Sequence, residues 1–161
     1  AMEVARKIEK YDVFWFEEPV EPDDYEGSAI IARSTSTPIA SGENEYTRYG
    51  FRDMINARSA DILQPDALVL GGITEFMKIA ALAQANDLDI SPHGAQEVHV
   101  HLVSAIPNGL ILEFYNDTVD PMWGKSYTET INIKDGYVSP PDLPGLGLEL
   151  NKKELEKYRV L

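Results

Sequence analysis

The chain contains no cysteine, which excludes disulfides and thiolate metal sites. Positive charge is scarce: 14 Lys and Arg stand against 27 Asp and Glu, a formal net charge of -13. Phosphate binding needs a basic footprint, so no nucleic-acid partner is expected. No apolar run approaches the roughly 18 residues of a membrane span, and no signal-peptide pattern opens the chain. No membrane association and a cytoplasmic location are therefore the expectations. Histidine is rare too, at 3 of 161 residues, and together with the lack of thiolates this disfavours a zinc site.

What is present suffices for a core. The chain is 43% hydrophobic and 9% aromatic, unlike a disordered sequence. Its acids are spread along the chain, and a solvated surface accounts for most of them. The opening "AMEVARKIEKYD" reads as a helix already under way with no capping residue ahead of it, as in a chain cut from something longer.

Strand-like runs occur at "VFWF" (13–16), "TPIAS" (37–41), "DILQ" (61–64), "LDIS" (88–91) and "LILEF" (110–114). Helical patterns lie between them, at about 23–34, 47–57, 73–86 and 95–106. Strands alternating with helices predict βαβ units and a parallel sheet, an α/β fold. The triplet Phe14, Trp15 and Phe16 predicts a strand buried on both faces, stopped by Pro19. Beyond residue 114 the Asp-Gly and Pro-Pro punctuation predicts short antiparallel strands, with "KKELEKY" as a closing helical turn or two.

The residues at the carboxyl ends of the strands are Glu17, Glu43, Asp66, His93 and Glu113, at steps of 26, 23, 27 and 20. In a barrel of parallel strands these ends converge on one mouth; in an open doubly wound sheet they line a crevice. Taken singly, each is an ordinary solvated or capping residue, and Asp66 is placed to cap the helix after it. Five in phase point to a site. Glu17 and Glu43 are hard oxygen ligands suited to Mg²⁺. Asp66 can orient the His93 imidazole and raise its basicity. Glu113, if kept neutral, can donate a hydrogen bond to a forming oxyanion. Such a set suits removal of a proton α to a carboxylate, with the metal stabilising the enediolate.

The motifs "WFEEP", "SGENEYTRYGF", "ILQPD", "GGITE" and "SPHG", in this order and spacing, resemble the enolase superfamily and its mandelate racemase subgroup. Sites of that superfamily use a Lys or His base with Mg²⁺. The resemblance implies that Glu17 and Glu43 are Mg²⁺ ligands and that Asp66 and His93 form a general acid–base dyad. It further implies that Glu113 hydrogen-bonds a substrate carboxylate. "EPDDYEG" and "GENEYTRYGF" look most like sugar-acid dehydratases of the rhamnonate type, although Asn44 stands where those enzymes carry His and fits the racemase pattern better. Arg48, Gln96 and Asn44 are candidate substrate contacts, with a structural role as the competing reading for Arg48 and Gln96.

The implied fold is the carboxyl-terminal part of a (β/α)₈ TIM-type barrel. Residues 1–114 would be five βα units, the family's strands 4 to 8, and residues 115–161 would pack toward a capping domain. The family's third metal ligand and its lysine-bearing strand would precede residue 1, so the chain by itself is not expected to turn over substrate. Three readings follow. One is part of a Mg²⁺-dependent acid-sugar dehydratase; another is a racemase or epimerase of a 2-hydroxy acid with the same site. The third is a non-catalytic fragment or half-barrel subunit. Five strands leave two open edges, so self-association or a complementing N-terminal chain is expected, with a small sugar acid or 2-hydroxy acid as the ligand.

Overall fold

The computed structural model describes residues 1–116, 118–122 and 124–160. Helix α1 (Met2–Ile8) is followed by a 3-10 turn, then β1 (Phe16–Glu17), α2 (Tyr25–Ala32), β2 (Ile39–Ser41), α3 (Thr47–Ala57) and β3 (Ile62–Leu63). Next come α4 (Ile73–Gln84), β4 (Asp89–Ile90), α5 (Gln96–Ala105) and, near the end, α6 (Lys152–Leu155). The strands form one parallel sheet in chain order, β1-β2-β3-β4. That order, with a helix in each crossover, is the winding of a barrel wall.

Local chemistry accounts for the elements. Asp24 caps α2 by accepting from Gly27 N at 2.8 Å, the preferred N-cap arrangement. Helix α4 buries Phe76, Ile79, Ala80 and Ala83, one stripe at helical spacing. These pack with Phe51 and Met54 of α3, Leu63 of β3, Ile90 of β4 and Val98 and Leu102 of α5 in the main core. A smaller cluster of Ala5, Ile31 and Ile39 ties α1 and α2 to β2.

Two of the expected strands differ from the sequence reading. Phe14 is 68% exposed, and the strand begins only at Phe16. Among the described residues β1 pairs with β2 alone, so its far flank has nothing to bury Phe14. The fifth expected strand is reduced to one parallel bridge, Ile90 to Gly109. Its ladder consists of Ile90 N to Asn108 O and Leu110 N to Ile90 O, both 2.8 Å. The next bond would need an N–H at Pro92, which has none. Ser91 Oγ instead donates to Ile111 O at 3.1 Å and holds the extended run alongside.

The short antiparallel strands expected after residue 114 are likewise single bridges among the described residues, Tyr127 to Leu150 and Lys134 to Tyr137. Pro140, Pro141 and Pro144 remove donors from this stretch. Leu146 and Leu148 nonetheless pack on the main core, and the ring of His101 bonds Leu146 O at 3.0 Å.

Glu75 joins α4 to the start of α3. Its carboxylate, 12% exposed, accepts from Arg48 N at 3.0 Å and Arg48 Nη1 at 2.7 Å, and from Lys78 Nζ at 3.0 Å. The Arg48 amide, then Lys78 and the Arg48 guanidinium, pull its pKa from 4.5 to about 2. A depressed carboxylate stabilises the fold fully above its unfolded pKa and loses that contribution as pH falls toward the folded value. Glu75→Gln is therefore expected to flatten the acid limb of a stability-against-pH curve between 4.5 and about 2. An unchanged slope in that window, read by urea melts, would remove Glu75 from the account.

Candidate active site

Glu17, Glu43, Asp66 and His93 lie at or just past strand ends, and Glu113 lies in the extended run after the bridge from Ile90 to Gly109. Glu17 ends β1. Gly42, at φ +134°, turns the chain out of β2 into Glu43; a Cβ there would sit 2.9 Å from the Phe51 ring and 3.2 Å from Gln64 N. Pro65 and Pro92 stop β3 and β4 just before Asp66 and His93.

His93 is the hub. Its Nδ1 lies 3.2 Å from Asp66 Oδ2 and its Nε2 lies 3.7 Å from Glu43 Oε2. Asp66 also accepts from Leu68 N at 2.8 Å through its other oxygen. Glu113 Oε2 accepts from Gly94 N at 2.6 Å, beside His93. Tyr115 packs edge-on to the His93 ring, with centroids 6.3 Å apart. Asp66, His93, Glu43 and Glu113 are thus gathered at one rim.

The electrostatics follow from this geometry. The hydrogen bond to Asp66 raises the His93 pKa against the opposing effect of burial, and Glu43 and Glu113 add to the rise. Burial acts to raise the Asp66 pKa, but the His93 bond and the Leu68 amide outweigh it and leave it lowered. Glu43 is raised by burial, an effect that His93 offsets and that Glu18, Glu17 and Glu113 reinforce. Burial, followed by the nearby Glu113 carboxylate, raises the Tyr115 phenol.

Glu17 is exposed and accepts from the Trp15 indole N–H at 3.0 Å. Among the described residues no three His, Asp or Glu side chains converge closely enough to hold a metal ion. Asn44 Nδ2 donates to Glu18 Oε1 at 3.3 Å. Arg48 and Gln96 stand apart from the rim chemistry. The Arg48 guanidinium engages Glu75 and the Tyr49 hydroxyl. Gln96 is buried and brackets the Tyr115 backbone, donating to Tyr115 O at 2.9 Å and accepting from Tyr115 N at 3.3 Å. Gln96, buried and held by two backbone bonds, positions the Tyr115 backbone, and the partly exposed Arg48 bridges α3 to Glu75 of α4.

Sequence reading passed over Glu18, Tyr115 and His99. Glu18 follows Glu17 directly, and its φ of +39° turns it toward Asn44. Tyr115 carries no signal beyond its distance of two residues from Glu113. His99 had a signal, a histidine inside the apolar run "VHVHL".

Comparisons with known proteins agree with this architecture. The family model described as "Enolase C-terminal domain-like" matches residues 1–154. The 3,6-anhydro-alpha-L-galactonate cycloisomerase of Streptomyces coelicolor is 36% identical over 160 residues, covering 99% of this chain and 43% of the relative. The L-rhamnonate dehydratase of Saccharopolyspora erythraea is 35% identical over 158 residues, 94% of this chain and 40% of the relative. Among solved structures, L-talarate dehydratase from a Polaromonas species, complexed with Mg and L-glucarate, superposes with a TM-score of 0.88 at 39% identity. It covers 96% of this chain and 42% of that one. The chain thus spans about two fifths of the length of the curated relatives it matches. Its parallel wall, strand-end rim and family match together make it a member of the enolase superfamily, in the mandelate racemase subgroup.

Proposed function

We propose that the protein to which this rim belongs is a Mg²⁺-dependent sugar-acid dehydratase in which His93 and Asp66 carry the proton transfer. The observation that bears the reading is the His93 ring held at Nδ1 by Asp66 and flanked by Glu43 and Glu113. Nδ1 is engaged, so Nε2 is the nitrogen that exchanges a proton with substrate. Asp66 keeps the ring in that orientation and stabilises the imidazolium formed after proton uptake. His93 takes the proton α to the substrate carboxylate or delivers one to the departing β-hydroxyl. Loss of the α proton and of the protonated β-hydroxyl as water leaves an enol, which tautomerises to a 2-keto-3-deoxy acid.

The donor set fits Mg²⁺ in kind. Glu17, Glu18 and Glu113 all raise the Glu43 pKa, and His93 is the counter-charge beside it; crowded, partly buried carboxylates call for a cation. Glu17 and Glu43 are the proposed holders, with further donors outside that pair. When bound, the ion supplies the charge that stabilises the anion developing on the substrate. Glu113, held by Gly94 N, is the proposed partner of the substrate carboxylate.

Residues 1–114 would form the barrel portion, and residues 115–161 a segment that closes onto it and toward a cap. The flanks of β1 and of the 110–114 run are where further strands of the same barrel would pair.

Incubating the full-length protein with Mg²⁺ and a panel including L-rhamnonate, L-talarate, D-xylonate and 3,6-anhydro-galactonate tests this reading. A 2-keto-3-deoxy acid from at least one sugar acid, lost on chelation and restored by Mg²⁺, is the expected result. An epimer formed without loss of water would make the enzyme a racemase, and silence across the panel would defeat the dehydratase reading.

A further inference from the structure

His99 is 0% exposed and takes no part in the proton transfer described above, yet both of its ring nitrogens are committed. Nε2 accepts from Ala67 N at 2.9 Å, and Nδ1 bonds Gly94 O at 2.7 Å. Ala67 directly follows Asp66, and Gly94 directly follows His93. One imidazole therefore stitches together the backbone of the two loops that carry the dyad. Its face lies on Phe76, with centroids 5.8 Å apart and planes at 28°, so the ring is clamped as well as bonded.

The partners assign its state. An amide N–H can only donate and a carbonyl can only accept, so Nε2 must present a lone pair and Nδ1 must carry the hydrogen. That is the neutral tautomer. Asp66 Oδ1 sits 3.7 Å from Nε2, but it faces a lone pair there and makes no ion pair. A charged His99 would compete with His93 for Asp66, whereas a neutral one leaves the carboxylate to His93 at 3.2 Å. Burial holds the His99 pKa below its usual value, in keeping with the neutral form.

We propose that His99 is a positioning residue for the dyad: a neutral imidazole that sets the distance between the Asp66 and His93 loops and leaves the Asp66 charge directed at His93. The inference rests on the assignment of His93 to proton transfer. The competing reading is a core histidine that merely satisfies two backbone groups.

Two measurements test the proposal, the first its assigned tautomer and the second the positioning role against the competing reading. In ¹⁵N-labelled full-length protein, the His99 ring is expected to keep the Nδ1–H tautomer with Nε2 unprotonated from about pH 5 to pH 8. An Nε2–H or doubly protonated ring would overturn the proposal. In the second, His99→Leu is compared with Met54→Ala, a core variant on α3, at temperatures equally far below their melting points. The assay uses Mg²⁺ and whichever of L-rhamnonate, L-talarate or D-xylonate is turned over. His99→Leu should lower kcat about tenfold to hundredfold with KM nearly unchanged, while Met54→Ala keeps the wild-type kcat. His99→Gln, whose amide oxygen can still accept from Ala67 N, should recover part of the loss. Equal kcat in the Leu and Met54 variants would reduce His99 to a packing residue. If His93→Ala also retained full activity, the proton-transfer reading itself would fall; if only His93→Ala were dead, the positioning role alone would fall.

Discussion

Replacing His93 by alanine in the full-length protein is expected to cut kcat by about 10²- to 10⁴-fold, the range that a positioned general acid or base contributes. The geometry sets the expectation. Among the described residues no other imidazole offers a nitrogen at this rim: His99 uses both nitrogens on backbone groups, and His101 turns its Nε2 to Leu146 O. His93 alone combines partial exposure with a carboxylate at Nδ1. Mg²⁺ binding should survive His93→Ala, because the proposed holders are Glu17 and Glu43. Equilibrium dialysis with Mg²⁺ beside steady-state kinetics distinguishes loss of the base from loss of the metal. Glu43→Ala is the converse variant and should weaken Mg²⁺ binding first. Near-normal turnover by His93→Ala on every active sugar acid would make the acid–base assignment wrong.

Phe76→Ala should destabilise the fold by about 3–5 kcal/mol, the usual cost of truncating a fully buried Phe. Phe76 is 0% exposed and sits in the main cluster between α3, β3, β4 and α5. Its ring also lies against His99, so the cavity would open next to the stitch between the two dyad loops. Urea unfolding of the full-length protein reads the effect as a lower midpoint at an unchanged slope. A shift worth less than about 1 kcal/mol would mean that neighbouring side chains collapse into the space, against the close packing argued for this core.

Both predictions depend on features that differ in how well the sequence announces them. Helix α3 appears at 47–57 as the pattern predicts, because its apolar residues, Phe51 and Met54 among them, recur at helical spacing and face the core. The rim was legible because a regular βα period puts one residue per strand at the same end, and polar residues there have no packing reason to recur. The fifth strand was not: a run such as "LILEF" carries strand propensity, but ladder formation also depends on its neighbour, and Pro92 lies in that neighbour. Phe14 misled for a related reason. An apolar triplet signals burial only if something lies on its far side, and among the described residues nothing pairs with that flank of β1.

Arg48 and Gln96 stand near strand ends in sequence, which says nothing about direction. Arg48 turns to Glu75 across the helix pair, and Gln96 turns inward to the Tyr115 backbone. His99 shows what sequence position cannot convey. Its place in "VHVHL" falls within the fourth helical pattern, and α5 buries it together with Val98 and Val100 while His101 stays half-buried. That its two nitrogens would meet the residues after Asp66 and His93 depends on how two loops approach in space, and no local pattern encodes that.

The central claim is removal of a proton α to a carboxylate, and a substrate labelled with deuterium at that carbon tests it most directly. The full-length protein is incubated with Mg²⁺ and the labelled form of a sugar acid it dehydrates, and the product is read by NMR. The account predicts that the deuterium is lost to solvent water and that the labelled substrate turns over more slowly than the unlabelled one. Complete retention of the label at the neighbouring carbon of the product, in His93→Ala as in the wild-type protein and with no slower turnover of the labelled substrate, would point to migration without this base and would contradict the role assigned to the Asp66–His93 dyad.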